Sequence, residues 1–517
     1  MRLKINKTGK FKNSKKYLKL INEASVYDVA IDSPTTHAIN LSNKENNNIF
    51  LKREDLQPIF SFKNRGAYNK IFNLSQKQKS KGIIAASAGN HAQGVAMAAK
   101  TLGCKATIVM PKTTPTIKTN AVRKFGAEVV LHGISLYESL EYAHEIEKKQ
   151  GLTFIHPFDD PYVIAGQGTI GKEILEDFKE PLHAIFVCVG GGGLISGIAA
   201  YVKAVNPEIK VIGVEAKDSE AMTEALKRNE RISLDQVSLF AEGAAVKQIG
   251  VHNFEIASKY VDEMVVVDND EICAAIKDVF EDTRTILEPA GALAAAGLKS
   301  YVLKNNIQGK NLIGIASGAN INFDRLRFVA ERAELGEQRE AILSVTIPEK
   351  PGAFKSFCDL LGERNITEFN YRYSDTNQAQ IFVGVTISNA KDTTILLNSF
   401  NEAGLSASDL TQNEMAKLHL RYMVGGHAPD AKNELVYRFE FPEKPGALLS
   451  FLTNMGENWN ISLFHYRNHG ADIGRVLVGM QVPKKDQETF HKFLNDLEYP
   501  FYDETDNLGY KLFLGKS

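Results

Sequence analysis

Cysteine is scarce and dispersed. The 517 residues hold four, Cys104, Cys188, Cys273 and Cys358, and none forms a CxxC pair or a Cys/His ligand spacing. That argues against a disulfide framework and a zinc module, and it leads to the expectation of a reducing, cytoplasmic setting. An excess of one charge is also lacking. Lys+Arg 61 against Asp+Glu 62 leave a formal net charge of -1, so nothing global attracts nucleic acid or an anionic membrane. No apolar run approaches the length of a membrane span. Met1 to Leu20 carries eight Lys/Arg and no acid. It has no apolar core of a secretory signal and too little Arg and Ser for a transit peptide. Residues 1–27 are therefore expected to form a solvated, poorly ordered basic extension. The spaced GxGxxG of a dinucleotide fold and the Gly-Lys-Ser/Thr of a P-loop are missing too, which weakens a nicotinamide oxidoreductase reading.

What remains is ordinary globular material, 44% apolar and 24% charged, long enough for two to four domains. Between about residues 50 and 325, short apolar strands alternate with helical segments. Strands are predicted at 82–86, 106–110, 127–131, 184–189, 211–214 and 312–316, and helices at 92–102, 116–125 and 195–202. Buried strands spaced by helices imply an α/β fold with mainly parallel sheets covered by helices. Ligands in such sheets sit beyond the carboxyl ends of the strands, so the loops that follow them are where chemistry is sought.

After residue 330 the pattern changes and then repeats. Pro348-Glu349-Lys350-Pro351-Gly352-Ala353-Phe354 returns as Pro442-Glu443-Lys444-Pro445-Gly446-Ala447-Leu448, 94 residues later. Asn365-Ile366-Thr367-Glu368-Phe369-Asn370-Tyr371-Arg372 returns as Asn460-Ile461-Ser462-Leu463-Phe464-His465-Tyr466-Arg467, at an offset of 95. Each copy reads strand, Pro-Gly turn, helix, strand, strand, helix, a split βαβ module of ferredoxin-like α+β type. The implied organisation is an extension (1–27), a first domain (28–330), a linker (331–339) and two repeats (340–418 and 433–515).

Four segments of the first domain carry candidate chemistry. In Phe60-Ser61-Phe62-Lys63-Asn64-Arg65-Gly66-Ala67, Lys63 has Phe60 and Phe62 as near neighbours. Desolvation there would lower its pKa and free an amine able to form a Schiff base. In Ser87-Ala88-Gly89-Asn90-His91, small residues at a helix start offer backbone N–H groups to a carboxylate, and Asn90 and His91 add side-chain donors. Gly190-Gly191-Gly192-Gly193-Leu194 lies between a strand and a helix, where consecutive N–H groups can curl around a phosphate. Ser317, in Ser317-Gly318-Ala319-Asn320, is expected at a strand end facing the same cleft, although a lone serine there is more often a helix cap.

In this order the four segments resemble the fold-type II family of pyridoxal-phosphate enzymes, in particular its threonine dehydratase branch. The resemblance covers residues 28–517, and the repeats look like the paired ACT-like regulatory domains of the biosynthetic enzymes. It implies pyridoxal 5'-phosphate held on Lys63 against Phe62, Asn90 on the ring hydroxyl oxygen, Gly190, Gly191, Gly192, Gly193 and Leu194 around the phosphate, and Ser317 facing the pyridine nitrogen. Ser87, Ala88, Gly89, Asn90 and His91 would take the substrate carboxylate. The implied reaction is deamination of threonine, and more weakly of serine, to a 2-oxo acid and ammonia. A neutral serine opposite the pyridine nitrogen makes a weaker electron sink and favours prompt β-elimination.

The same resemblance implies isoleucine as feedback inhibitor, valine as a candidate opposing effector, and a homotetramer. Serine racemases of this fold hold a divalent cation through a glutamate after a strand. Glu215 stands in the comparable place, but Ser219 and Ala221 follow it, so no metal is expected unless Asp218 or Glu220 substitutes. Glu288 is either near the site or an ordinary helix-start acid. Three other readings compete: a serine racemase or dehydratase, a non-catalytic amino-acid sensor, and the oxidoreductase already weakened. The duplicated C-terminal half speaks against the first, and the intact Lys63, Asn90 and tetraglycine loop against the second.

Overall fold

The structure is a computed structural model that describes residues 12–362, 364–373, 377–418, 420–422, 425–442, 447–455, 458–467, 473–497 and 499–515. The chain divides into two compact units, Met1–Gly336 and Glu337–Ser517.

The first unit contains two sheets. Strands β1 (Thr35–His37), β2 (Asn48–Arg53), β3 (Ile83–Ala86), β4 (Ala106–Met110), β5 (Glu128–Leu131), β6 (Thr153–Phe154), β7 (Ala184–Cys188), β8 (Lys210–Ala216), β9 (Glu263–Val267) and β10 (Asn311–Ala316) build them. The larger sheet runs β1-β2-β10-β7-β8-β9 and the smaller β5-β4-β3-β6. Every pairing is parallel except β1 with β2. The Ala-Ile-Phe-Val-Cys of β7 is buried throughout, as a central parallel strand covered on both faces must be. Parallel pairing sends β2, β7 and β10 the same way, so the loops after Arg53, Cys188 and Ala316 open at one edge.

Three expectations change here. The extension is partly ordered: Lys12–Asn22 is a helix, and Tyr17 and Ile21 are buried in the main core. Its apolar residues recur at helical spacing beneath the lysines, a stripe that the high charge conceals. The charged run at 330–334, readable as the end of a helix or as a helical linker, is the end of helix Arg325–Gly336, so the linker shrinks from 331–339 to 337–339. Arg332 there bonds Asp270 at 2.7 Å. Finally, β8 runs on to Ala216, so Glu215 lies inside the strand rather than after it. Burial raises its pKa to about 7, and its carboxylate accepts from the Met222 and Thr223 N–H groups at 2.8 Å each. It caps the helix Ala221–Arg228.

The second unit is one antiparallel sheet of order β14-β11-β13-β12-β16-β17-β15-β18. Its strands are β11 (Glu340–Pro348), β12 (Ile366–Arg372), β13 (Gln378–Thr386), β14 (Ser406–Asp409), β15 (Glu434–Pro442), β16 (Asn460–Arg467), β17 (Ile473–Gln481) and β18 (Phe501–Asp503). Each copy follows the expected pattern and adds a short fourth strand, β14 or β18, at its outer edge. Period-two burial fixes the register: Ala379, Ile381, Val383 and Val385 of β13 are all buried. The copies join where β12 pairs with β16, and Phe369 and Phe464 pack there with ring centroids 4.9 Å apart.

Candidate active site and regulatory cleft

Lys63 opens the helix Lys63–Phe72. Close approach sets that helix: a Cβ at Gly66 would lie 2.8 Å from the Val163 carbonyl oxygen, and one at Gly94 2.9 Å from the Lys63 carbonyl oxygen. The Lys63 Nζ lies 4.8 Å from the centre of the Phe62 ring. The residue as a whole is half-buried. Burial lowers its pKa, and Glu288 offsets this only in part. Phe60 plays no part in that desolvation, for it is 57% exposed. Its backbone, at φ 55, instead ties the segment to the loop after β10: the Phe60 carbonyl accepts from Ala319 N–H at 2.9 Å, and Phe62 N–H donates to the Ser317 carbonyl at 3.4 Å.

Ser317 is buried. Its hydroxyl accepts from the Cys188 thiol at 3.2 Å and donates to the Ala290 carbonyl at 3.3 Å. Burial pushes the Cys188 thiol pKa up, so it remains a neutral donor. Gly190 to Gly192 lead into the helix Gly193–Val205, whose cap Gly192 has φ 95. The first bond inside that helix runs from Ser196 N–H to the Gly192 carbonyl at 3.0 Å, which leaves the earlier N–H groups for a ligand. A Cβ at Gly190 would stand 2.9 Å from the Ala244 Cα, and one at Gly192 2.6 Å from the Met222 Cε. Only glycine fits so close a loop.

Helix Asn90–Thr101 begins at Asn90 with Gly89 as its cap, so Asn90 and His91 are its first residues. No atom lies within 4 Å of where a Gly89 Cβ would point. Ser87 Oγ accepts from Gly89 N–H at 3.3 Å. His91 is corrected as a side-chain donor to a carboxylate. Its Nε2 lies 2.8 Å from the Ile155 carbonyl, which can only accept, so that nitrogen carries the proton. Burial lowers the His91 pKa to about 3, leaving a neutral ring. Asn90 Nδ2 donates to Glu288 Oε1 at 2.6 Å, which places Glu288 in the site.

A pyridoxal-phosphate group fits these residues. The desolvated Lys63 amine and the Ser317 hydroxyl both neighbour the Cys188 thiol, and the glycine cradle begins two residues beyond it at Gly190. Ser61 Oγ and His91 Nδ1, both close to Lys63, are buried without a hydrogen-bond partner. Alanine at Gly190 is expected to displace the cradle and weaken cofactor binding, and to lower turnover by up to about 10²-fold, as an ångström-scale misplacement of reacting groups can. Fluorescence titration of the cofactor-free protein measures the binding.

In the second unit, the turn Lys350-Pro351-Gly352 of the first copy faces Leu452, Met455 and Trp459 of the second across a small cleft. Gly352, at φ 83, caps the helix Ala353–Leu361. Glu349 accepts from Asn460 Nδ2 at 2.7 Å and from the Tyr371 hydroxyl. Trp459 is 3% exposed, yet its indole Nε1 has no hydrogen-bond partner. Arg372 is tied to Glu434 and to the Gly426 and Ser462 carbonyls, so it serves contacts between the copies. The turn of the second copy, 443–446, lies outside the described residues, as does the Arg467 side chain.

Fold and site together define a pyridoxal-phosphate enzyme with a duplicated regulatory half. Residues 26–318 match the model of the pyridoxal-phosphate dependent enzyme family, and residues 331–420 and 425–514 each match the C-terminal regulatory domain of threonine dehydratase. The chain is 54% identical over 501 residues to a biosynthetic L-threonine dehydratase of Burkholderia multivorans, covering 96% of this chain and 99% of that one. It is 51% identical over 499 residues to that of Escherichia coli, covering 96% and 97%. The processed form of threonine deaminase isoform 2 from Solanum lycopersicum superposes with a TM-score of 0.63 at 48% identity, over 65% of this chain and 92% of that one. The chain belongs to the biosynthetic threonine dehydratase family.

Proposed function

We propose that this chain deaminates L-threonine to 2-oxobutanoate and ammonia, and L-serine more weakly to pyruvate, as the committed step of isoleucine synthesis. The observation that carries the reading is the desolvated Lys63 amine at the meeting point of three strand-end loops. Pyridoxal phosphate, when bound, supplies a carbonyl for the amine and an electron sink for the substrate. The chain's own residues do the rest. Lys63, its pKa lowered by burial, is readily neutral and takes the Cα proton. The N–H groups at the start of Asn90–Thr101, with Ser87, hold the substrate carboxylate. Residues 190–194 anchor the phosphate, Asn90 meets the ring hydroxyl oxygen, and Ser317 faces the pyridine nitrogen. Threonine and serine differ by one methyl, which a pocket separates by only a modest factor. Formation of 2-oxobutanoate from threonine tests the reading, and a protein that stays colourless and inactive after incubation with pyridoxal phosphate overturns it.

The second unit is read as the sensor, with isoleucine as inhibitor and valine as its opponent. The cleft beside Trp459 suits an aliphatic amino acid. Its carboxylate would meet the helix start, Lys350 and the indole N–H, and its side chain Leu452 and Met455. Isoleucine lowers activity by binding a low-activity arrangement more tightly. Because Trp459 is the single tryptophan, its fluorescence should respond to isoleucine directly. Phenylalanine at 459 is expected to weaken inhibition about tenfold, the scale of one hydrogen bond to a charged group, with threonine turnover alone unchanged. A homotetramer and a cytoplasmic location complete the reading. Among the described residues no helix is long and apolar enough to cross a membrane.

A further inference from the structure

The Asn90 amide is held at both ends by residues far away in the chain. Its Nδ2 donates to Glu288 Oε1 at 2.6 Å across 198 residues. Its Oδ1 accepts from Asn320 Nδ2 at 2.7 Å across 230 residues. Asn320 Nδ2 also donates to the Ile59 carbonyl at 2.8 Å. That last bond decides the direction of the whole series. A carbonyl only accepts, so the Asn320 atom facing Ile59 is nitrogen, and both its hydrogens are then committed. The Asn90 atom facing Asn320 must therefore be oxygen, which turns the Asn90 nitrogen toward Glu288.

One Asn90 N–H goes to Glu288, and the second remains for a ligand. Glu288 is itself fixed. It caps the helix Pro289–Asn305, and its N–H donates to the Gly318 carbonyl at 3.1 Å. A Cβ on Gly318 would come within 2.7 Å of Glu288 Oε1, so a larger residue there would push the carboxylate from its place.

We propose that Glu288 and Asn320 are positioning residues that fix the polarity of the Asn90 amide, so that its remaining N–H is presented to the cofactor ring. The inference rests on the reading that Asn90 faces the cofactor. Glu288 acts here as an acceptor rather than as a charge, so glutamine can replace it through its amide oxygen. Asn320 acts as a donor, which aspartate cannot be; Asn320→Asp would invite the Asn90 amide to turn over.

The test compares holoenzyme variants by the wavelength and intensity of the visible cofactor band and by cofactor retention on dialysis. Glu288→Ala is expected to shift the band and weaken retention roughly tenfold, the upper end for losing one buried hydrogen bond. Glu288→Gln should restore both, and Asn320→Asp should reproduce the shift. If Asn90→Ala moves the band but Glu288→Ala and Asn320→Asp leave it in place, the positioning role is refuted while the Asn90 reading stands. Glu288→Gln as impaired as Glu288→Ala would also refute it, because the charge would then be what matters. If Asn90→Ala itself is silent, the underlying reading of Asn90 fails. Asn320→Asp keeps the test open should the Glu288 variants fold poorly.

Discussion

Alanine at Lys63 is expected to lower threonine turnover by about 10³-fold or more, since general acid–base catalysis alone contributes roughly 10²–10⁴. The covalent attachment point and the proposed base are lost together. Arginine should fail equally, because a guanidinium cannot be deprotonated in a protein. The structure makes Lys63 suited to the task through its surroundings rather than through its sequence neighbours alone. Burial lowers its pKa, and the Phe62 ring lies beneath the amine. A steady-state assay of 2-oxobutanoate formation checks the expectation, and retained turnover in Lys63→Arg would remove Lys63 from the mechanism.

Methionine at Arg65, two residues further along the same helix, is expected to cost roughly 3–5 kcal/mol of stability, the range for breaking a buried ion pair from one side. Arg65 is fully buried. It bonds Glu54 through Nε at 2.8 Å, Glu173 through Nη2 at 3.0 Å and the Ile31 carbonyl at 3.0 Å. Without it, Glu173 would keep the Lys52 amine at 2.8 Å, while Glu54 would be a buried carboxylate left to the Ser33 hydroxyl and the Gln57 amide. Lysine should rescue little, because a point charge cannot fork to both acids.

The sign of the pH dependence follows. Burial alone would raise the Glu173 pKa, but Arg65 and Lys52 outweigh it and the net shift is downward. The stabilisation is therefore present above the pKa of an unfolded glutamate and is lost as pH falls through the lower folded value. Urea melts of wild type and Arg65→Met at neutral and acid pH measure both effects. Equal midpoints at neutral pH would contradict the assignment.

Much of this was legible in the sequence, for identifiable reasons. Strand-end loops announce themselves through glycine and small residues at the close of apolar runs. The duplication is visible because the copies kept their Pro-Gly turns. Bonds between segments distant in sequence stayed hidden. Nothing local to Asn90 indicates Glu288 or Asn320, and nothing in Ser-Phe-Lys-Asn-Arg marks Arg65 as the centre of a buried ionic network. Phe60 misled as a neighbour of Lys63, since a turn at positive φ sends its ring to solvent. His91 misled because a histidine at a helix start looks like a donor to ligand until the Ile155 carbonyl claims its proton. Glu215 looked like a loop residue only while its strand was judged too short.

The central claim is that Lys63 holds the cofactor. Borohydride reduction of the purified, pyridoxal-phosphate-loaded protein, followed by peptide mass mapping, tests it most directly. The account predicts loss of the visible band and one pyridoxyl adduct, on the peptide containing Lys63 and absent from Lys63→Ala. An adduct on another lysine of the wild-type chain, or none at all, would contradict it.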